Sequence, residues 1–294
     1  MTENKDEESP RRVIVGVDSS ENSARAAQWA AREALSRGVP LTVVHAVHLP
    51  DAAAMPLEPP QYAERQREQG DKLVTLVARN LAAEFPGLEI GTEVSDLTPA
   101  RTLNTLSLEA SLVVTGTRGH GGFAGMLLGS VSRKLAAHSH CPLAVVRGFE
   151  SEDVLDEVVL GVEPNQSAAA IRYAFDAAQR LGAVLHAVRA WSPRPTYAAP
   201  TGPYFAELEE FRAQERKEVE ELIAPFRSAF PSVQVEITAA RGNPVPILVE
   251  TARDTRLLVV GAHRHRGPLA VGAGYVVEGL LAHSPTPVVV VPAH

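Results

Sequence analysis

The chain has 294 residues, with 28 Lys and Arg against 35 Asp and Glu and a formal net charge of −7, a balance that gives no support to nucleic acid as a partner. Hydrophobic residues make up 45% and charged residues 21%, which excludes a disordered chain, and no apolar run approaches the roughly 18 residues of a membrane span. A single cysteine, Cys141, excludes an intrachain disulfide framework and a Cys-rich zinc site, and the polar, acidic stretch Met1–Pro10 is not expected to act as a secretory leader, so a cytoplasmic location is expected.

In chain order, the pattern predicts a strand at Val13–Val17, a helix at Glu21–Arg37 closed by Gly38, and a strand at Leu41–Val47. The Pro-rich stretch Pro50–Pro60 reads as a loop and Tyr62–Phe85 as a helix. A strand at Leu88–Val94, a helix around Pro99–Glu109, a strand at Leu112–Thr115, a helix from Gly129 and a strand at Leu143–Val146 complete the first half. The strands are continuous apolar runs, the mark of a parallel sheet with helices on both faces.

The order then repeats, with helices near Gln166–Leu181, Phe205–Phe230, Pro246–Arg253 and Gly274–His283. RVIVGVD at Arg12–Asp18 matches EVVLGVE at Glu157–Glu163, and SLVVTG at Ser111–Gly116 matches LLVVG at Leu257–Gly261. Gly16 and Gly161, like Gly116 and Gly261, stand 145 residues apart. The reading is two tandem open α/β domains, 1–148 and 149–294.

The segment after the fourth strand carries the chemistry. Gly116, Gly119, Gly121, Gly122, Gly125 and Gly129 fall within 14 residues, and Ser130 and Ser132 open the next helix. Glycines let backbone N–H groups approach an oxyanion, and a helix N-terminus adds unpaired donors and the positive end of the dipole, so phosphate is the natural ligand. The alternative is a plain loop before a Ser-capped helix. The loop is neither a Walker nor a Rossmann loop: no Gly-Lys-Ser/Thr ends it, and it does not follow the first strand.

The spacing Gly116, two residues, Gly119, nine residues, Gly129–Ser130 resembles the ATP-binding signature of the universal stress protein family, G-x2-G-x9-G-[S/T]. The first strand ending in Asp18 and the closing CPLAVV strand resemble that family too, and the resemblance covers the whole chain as a tandem pair. It implies parallel five-stranded sheets of order 3-2-1-4-5, with the cleft between strands one and four where the order reverses. It implies ATP, with Mg2+ allowed, as the ligand of the first half. Asp18 would contact the adenine–ribose side, Ala46 would line the adenine pocket, and Thr115 and Gly116 would meet the ribose. Arg118 and Gly119 would begin the phosphate loop, and Gly129, Ser130, Val131 and Ser132 would bind phosphates through backbone and hydroxyl groups. On the residues alone, Asp18 also reads as a turn or cap residue and Arg118 as a solvated loop cation.

In the second half Glu163 stands for Asp18, Arg264 for Gly119, Tyr275 for Ser130 and Val277 for Ser132. A guanidinium and a phenol in place of a glycine and a serine are expected to change the cavity, so one ATP per chain is expected. His138, His140 and Cys141 read as a helix end leading into a strand, and no metal site is assigned. No nucleophile–His–acid trio can be assigned either. The expectation is an ATP-binding protein of stress signalling, acting through nucleotide-dependent conformation or assembly, with homodimer formation left open. A slow nucleotide hydrolase and a partner-binding scaffold with a vestigial site are the alternatives.

Overall fold

A computed structural model describes residues 12–47, 60–117, 128–147, 154–164, 166–192, 204–262 and 273–293. The chain folds as two units, Met1–Val146 and Arg147–His294. The first runs β1 (Arg12–Gly16), α1 (Glu21–Arg37), β2 (Leu41–Ala46), α2 (Pro60–Glu84), β3 (Ile90–Ser95), α3 (Pro99–Leu106), β4 (Ala110–Gly116), α4 (Ser130–His138) and β5 (Leu143–Val146). The second runs β6 (Leu155–Gly161), α5 (Ala168–Leu181), β7 (Val184–Trp191), α6 (Tyr204–Ala229), β8 (Val235–Arg241), α7 (Pro244–Thr251), β9 (Thr255–Ala262), α8 (Tyr275–His283) and β10 (Val288–Pro292). No helix among the described residues is long and apolar enough to cross a membrane.

Within the first unit the strand order is β3-β2-β1-β4-β5, every neighbouring pair parallel. Within the second it is β8-β7-β6-β9-β10, again parallel throughout. Both sheets therefore follow the 3-2-1-4-5 pattern, and both reverse order beside their first strand, opening a crevice at the carboxyl ends of the strands.

Local chemistry explains the helices that flank that crevice. Ser20 caps α1 by accepting from the Ser23 N–H, and Gly38 ends it in the left-handed conformation at φ 65°. Ser167 and Gly182 do the same for α5. Ser23, which the sequence places near the helix start, sits inside the first turn, where its hydroxyl donates to the carbonyls of Asp18 and Ser20 (2.5 and 3.0 Å). The buried face of α1 is Ala26, Ala27, Ala30, Ala31 and Ala34, small side chains that let the helix lie close on β1 and β4. Val13, Ile14 and Val15 are fully buried, as the continuous apolar run requires. In the second unit α5 carries Phe175, packed against Phe226 and Phe230 with ring centroids 6.0 and 5.6 Å away.

Candidate functional site: the crevices at the strand reversals

In the first unit, Asp18 leaves β1 and turns the chain into α1. Its Oδ1 accepts from the backbone N–H and the hydroxyl of Ser20 (2.9 and 2.5 Å), so the carboxylate is part of the turn that caps the helix. His45, near the end of β2, donates from Nδ1 to the Val17 carbonyl at 2.8 Å, and Ala46 follows it half-buried. Thr115 is buried at the end of β4. Gly116 must be glycine, because a Cβ there would stand 2.9 Å from the backbone of Asn22 in α1.

Beyond β4 comes the glycine-rich segment. Arg118 and Gly119 lie outside the described residues. The residues that flank the segment are tied: the Gly129 N–H donates to the Thr117 carbonyl at 2.7 Å, so by Gly129 the chain is back at the end of β4. Gly129 caps α4 with φ −70° and ψ 152°, an extended conformation open to any residue, so its value lies in the missing side chain and not in a positive φ. Its N–H is spent on Thr117.

The first intrahelical bond of α4 runs from the Arg133 N–H to the Gly129 carbonyl at 3.1 Å. The N–H groups of Ser130, Val131 and Ser132 precede it and have no intrahelical acceptor. Ser130 is exposed at the start of the helix. Three convergent N–H donors at a positive dipole end, next to a glycine-rich segment, fit a phosphate group.

Ser132 behaves differently from the sequence expectation of a hydroxyl donor to phosphate. It is 2% exposed, and its hydroxyl donates to the Gly116 carbonyl at 2.9 Å. With that proton committed, the 3.2 Å contact with Thr115 Oγ1 has Thr115 as donor. The pair fastens the start of α4 to the end of β4. Ser132 can offer a ligand its backbone N–H, while its hydroxyl holds that N–H in place.

The second unit repeats the arrangement with altered chemistry. The registers Gly16↔Val44 and Gly161↔Val188 make Arg189 the counterpart of His45 and Ala190 that of Ala46. Arg189 reaches the equivalent carbonyl, Val162, from Nη1 at 3.3 Å, and its Nε donates to Glu215 at 2.7 Å. A cavity of about 160 Å3 opens at the strand reversal. Glu163, Ala190, Val260, Gly261, Val276 and Val277 line it, the counterparts of Asp18, Ala46, Thr115, Gly116, Val131 and Ser132.

Two expectations about this half are corrected. Tyr275 does not fill the cavity: it is 71% exposed, its hydroxyl 3.4 Å from Asn243 Nδ2. Gly274, which caps α8 at φ 95°, gives the chain a different approach to the helix from that at Gly129. Nor does Val277 delete a ligand donor. Val260 and Val277, which both line the cavity, stand where the first unit has the hydroxyl pair Thr115–Ser132, so that internal hydrogen bond has no counterpart here. Arg264 lies outside the described residues.

Sequence reasoning missed Thr117, Arg189 and Gln166. Gln166 is 8% exposed and packs against Gly261, and its Oε1 accepts from the Glu163 N–H at 3.3 Å. The only signal in the chain was its position two residues before the start of α5.

The Universal stress protein family model matches the sequence twice, at residues 10–147 and 155–292. A universal stress protein of Mycolicibacterium smegmatis is 33% identical over 291 residues, an alignment covering 95% of this chain and 96% of the relative. One of Mycobacterium tuberculosis strain H37Rv is 33% identical over 287 residues, with 95% and 96% covered. Among solved structures, a universal stress protein from Archaeoglobus fulgidus superposes with a TM-score of 0.69 at 19% identity, covering 96% of each chain, a likeness of fold.

Proposed function

From the premise that this chain belongs, in both halves, to the universal stress protein family, we propose that its first half binds ATP in the crevice between β1 and β4 and that occupancy sets the conformation or assembly of a stress-response regulator. The observation that carries the reading is the start of α4. The N–H groups of Ser130, Val131 and Ser132 stand unpaired by the helix where a glycine-rich segment with the Gly-x2-Gly-x9-Gly-Ser spacing returns to the sheet.

In this reading the phosphates lie on those N–H groups and on the Ser130 hydroxyl, with Arg118 and Gly119 at the loop's start. Gly129 supplies room, since its own N–H closes the loop. Thr115 and Gly116 border the ribose, Ala46 borders the base, and Asp18 faces the ribose side. Mg2+ enters only as the counter-ion of the triphosphate. Regulation follows from differential affinity: ATP shifts a conformational or association equilibrium only as far as it binds one state better than the other.

Mass spectrometry of small molecules released from the purified protein tests the ligand, and ATP is expected among them. Calorimetry tests the site. Gly119→Ala and Gly129→Ala should each weaken ATP binding at least tenfold, about 1.4 kcal/mol, with a native circular dichroism spectrum. Unchanged affinity in both variants would remove the phosphate assignment.

A further inference from the structure

We propose that the second half holds a small-molecule site of its own, for an uncharged compound with one heteroaromatic ring whose nitrogen accepts a hydrogen bond from Gln166. The inference rests on the cavity at the reversal of the second sheet and is independent of whether the first half binds ATP.

Size sets the body of the ligand. An apolar cavity of about 150 Å3 accommodates a benzene molecule, and this one measures about 160 Å3. Val188, Leu248, Val260 and Val277 form apolar walls, with Gly161 and Gly261 giving flat backbone faces. One ring fills it; a purine with ribose and three phosphates does not.

Polar groups set the chemistry of that ring. Gln166 lines the cavity and is 8% exposed, and its Oε1 is held by the Glu163 N–H at 3.3 Å. Its Nε2 is buried with no hydrogen-bond partner among the described residues, and it stands at the Gly261 wall, where a Cβ on Gly261 would meet it at 2.8 Å. The first intrahelical bond of α8 runs from the Glu278 N–H to the Gly274 carbonyl at 3.0 Å. The N–H groups of Val276 and Val277, two further lining residues, precede it and have no intrahelical acceptor. The carbonyls beside them already hold donors: Val162 takes Arg189 Nη1 at 3.3 Å, and Val188 takes the Val162 N–H at 2.9 Å. Neither charged side chain at the cavity selects a charged ligand, because Arg189 is committed to Glu215 at 2.7 Å and Glu163 has an interaction of its own. A neutral ring nitrogen supplies the acceptor that the buried Gln166 amide lacks and brings no charge that would need a free partner.

The test is calorimetry on the full chain with saturating ATP present, in mildly alkaline buffer where pyridine is uncharged, comparing pyridine with benzene, which has the same shape and no acceptor. One equivalent of pyridine should bind with Kd below about 1 mM. Gln166→Leu nearly keeps the side-chain volume and removes the donor, so the ratio of pyridine to benzene affinity should fall at least tenfold, about 1.4 kcal/mol, with benzene still bound. The hydration of each compound is common to both proteins, so the change in the ratio isolates the Gln166 hydrogen bond. Val277→Phe, which fills the cavity, should abolish binding of both compounds, and Gln166→Leu decides where Val277→Phe does not fold. No binding of pyridine, an unchanged ratio in Gln166→Leu, binding retained in Val277→Phe, or a second equivalent of ATP displacing pyridine would each overturn the proposal.

Discussion

The hydroxyl pair Thr115–Ser132 offers a direct test of how the first crevice is held together. Both residues are buried, and the chain of bonds runs Thr115 to Ser132 to the Gly116 carbonyl. Ser132→Val alone leaves Thr115 Oγ1 without its acceptor and Gly116 without a donor, so about 1–3 kcal/mol of first-unit stability should be lost. Thr115→Val alone removes one neutral bond and leaves Ser132 on Gly116, a loss of about 0.5–1.5 kcal/mol. The double variant recreates the Val260–Val277 pair that the second unit already uses. It should cost less than the sum of the singles by about 1 kcal/mol, within the coupling expected of neighbours in one network. Urea unfolding read by Trp29 measures this in a Trp191→Phe background, since the chain has two tryptophans, one per unit. Trp191 belongs to the second unit, and the same background is kept in every first-unit variant, so its own cost is common to all of them. The single variants should also weaken ATP binding by loosening the N–H row of α4, and the double variant should recover part of it. Strict additivity of the three stabilities would refute the bond order Thr115 to Ser132 to Gly116.

Gly116→Ala places a methyl 2.9 Å from the Asn22 backbone and should destabilise the first unit by about 1–3 kcal/mol, seen as an earlier urea midpoint for Trp29 fluorescence. Tyr275→Ser removes an exposed side chain from outside the second cavity, so stability of that unit should change by less than about 0.5 kcal/mol and ATP stoichiometry by equilibrium dialysis should stay at one per chain. The Arg67 guanidinium, hydrogen-bonded through two nitrogens to Asp96, holds that carboxyl below its ordinary range. A depressed folded-state pKa stabilises above the usual carboxylate range and loses that contribution as pH falls through the depressed value. Arg67→Gln should therefore flatten the acid limb of the first unit's stability profile, and an unchanged limb would show the pair to be idle.

The repeat and the parallel α/β class are legible in the sequence because each depends on local or repeated information, whereas the strand order entered only through the family resemblance. Continuous apolar runs such as Val13–Val15 specify strands buried on both faces, and Gly38 and Gly182 punctuate helices through their own backbone freedom. The glycine-rich segment is legible for the same reason: glycine spacing is a property of the chain. What a side chain at the crevice does is not legible, because a hydroxyl's partner is chosen by whatever the fold brings within about 3 Å. By the family resemblance Ser132 is a ligand donor, but in the fold the Gly116 carbonyl takes its proton, and its counterpart Val277 lines the second cavity together with Val260. Tyr275 reads in the sequence as a bulky change to the cavity, yet it follows Gly274 at φ 95° and is 71% exposed. Arg189 and Gln166 carry no motif at all. Residue spacing showed the repeat and the glycine-rich segment, and the resemblance they carry pointed to the crevices at the two strand reversals. Tertiary structure decided which polar atoms in them are already paired, and so which remain for a ligand.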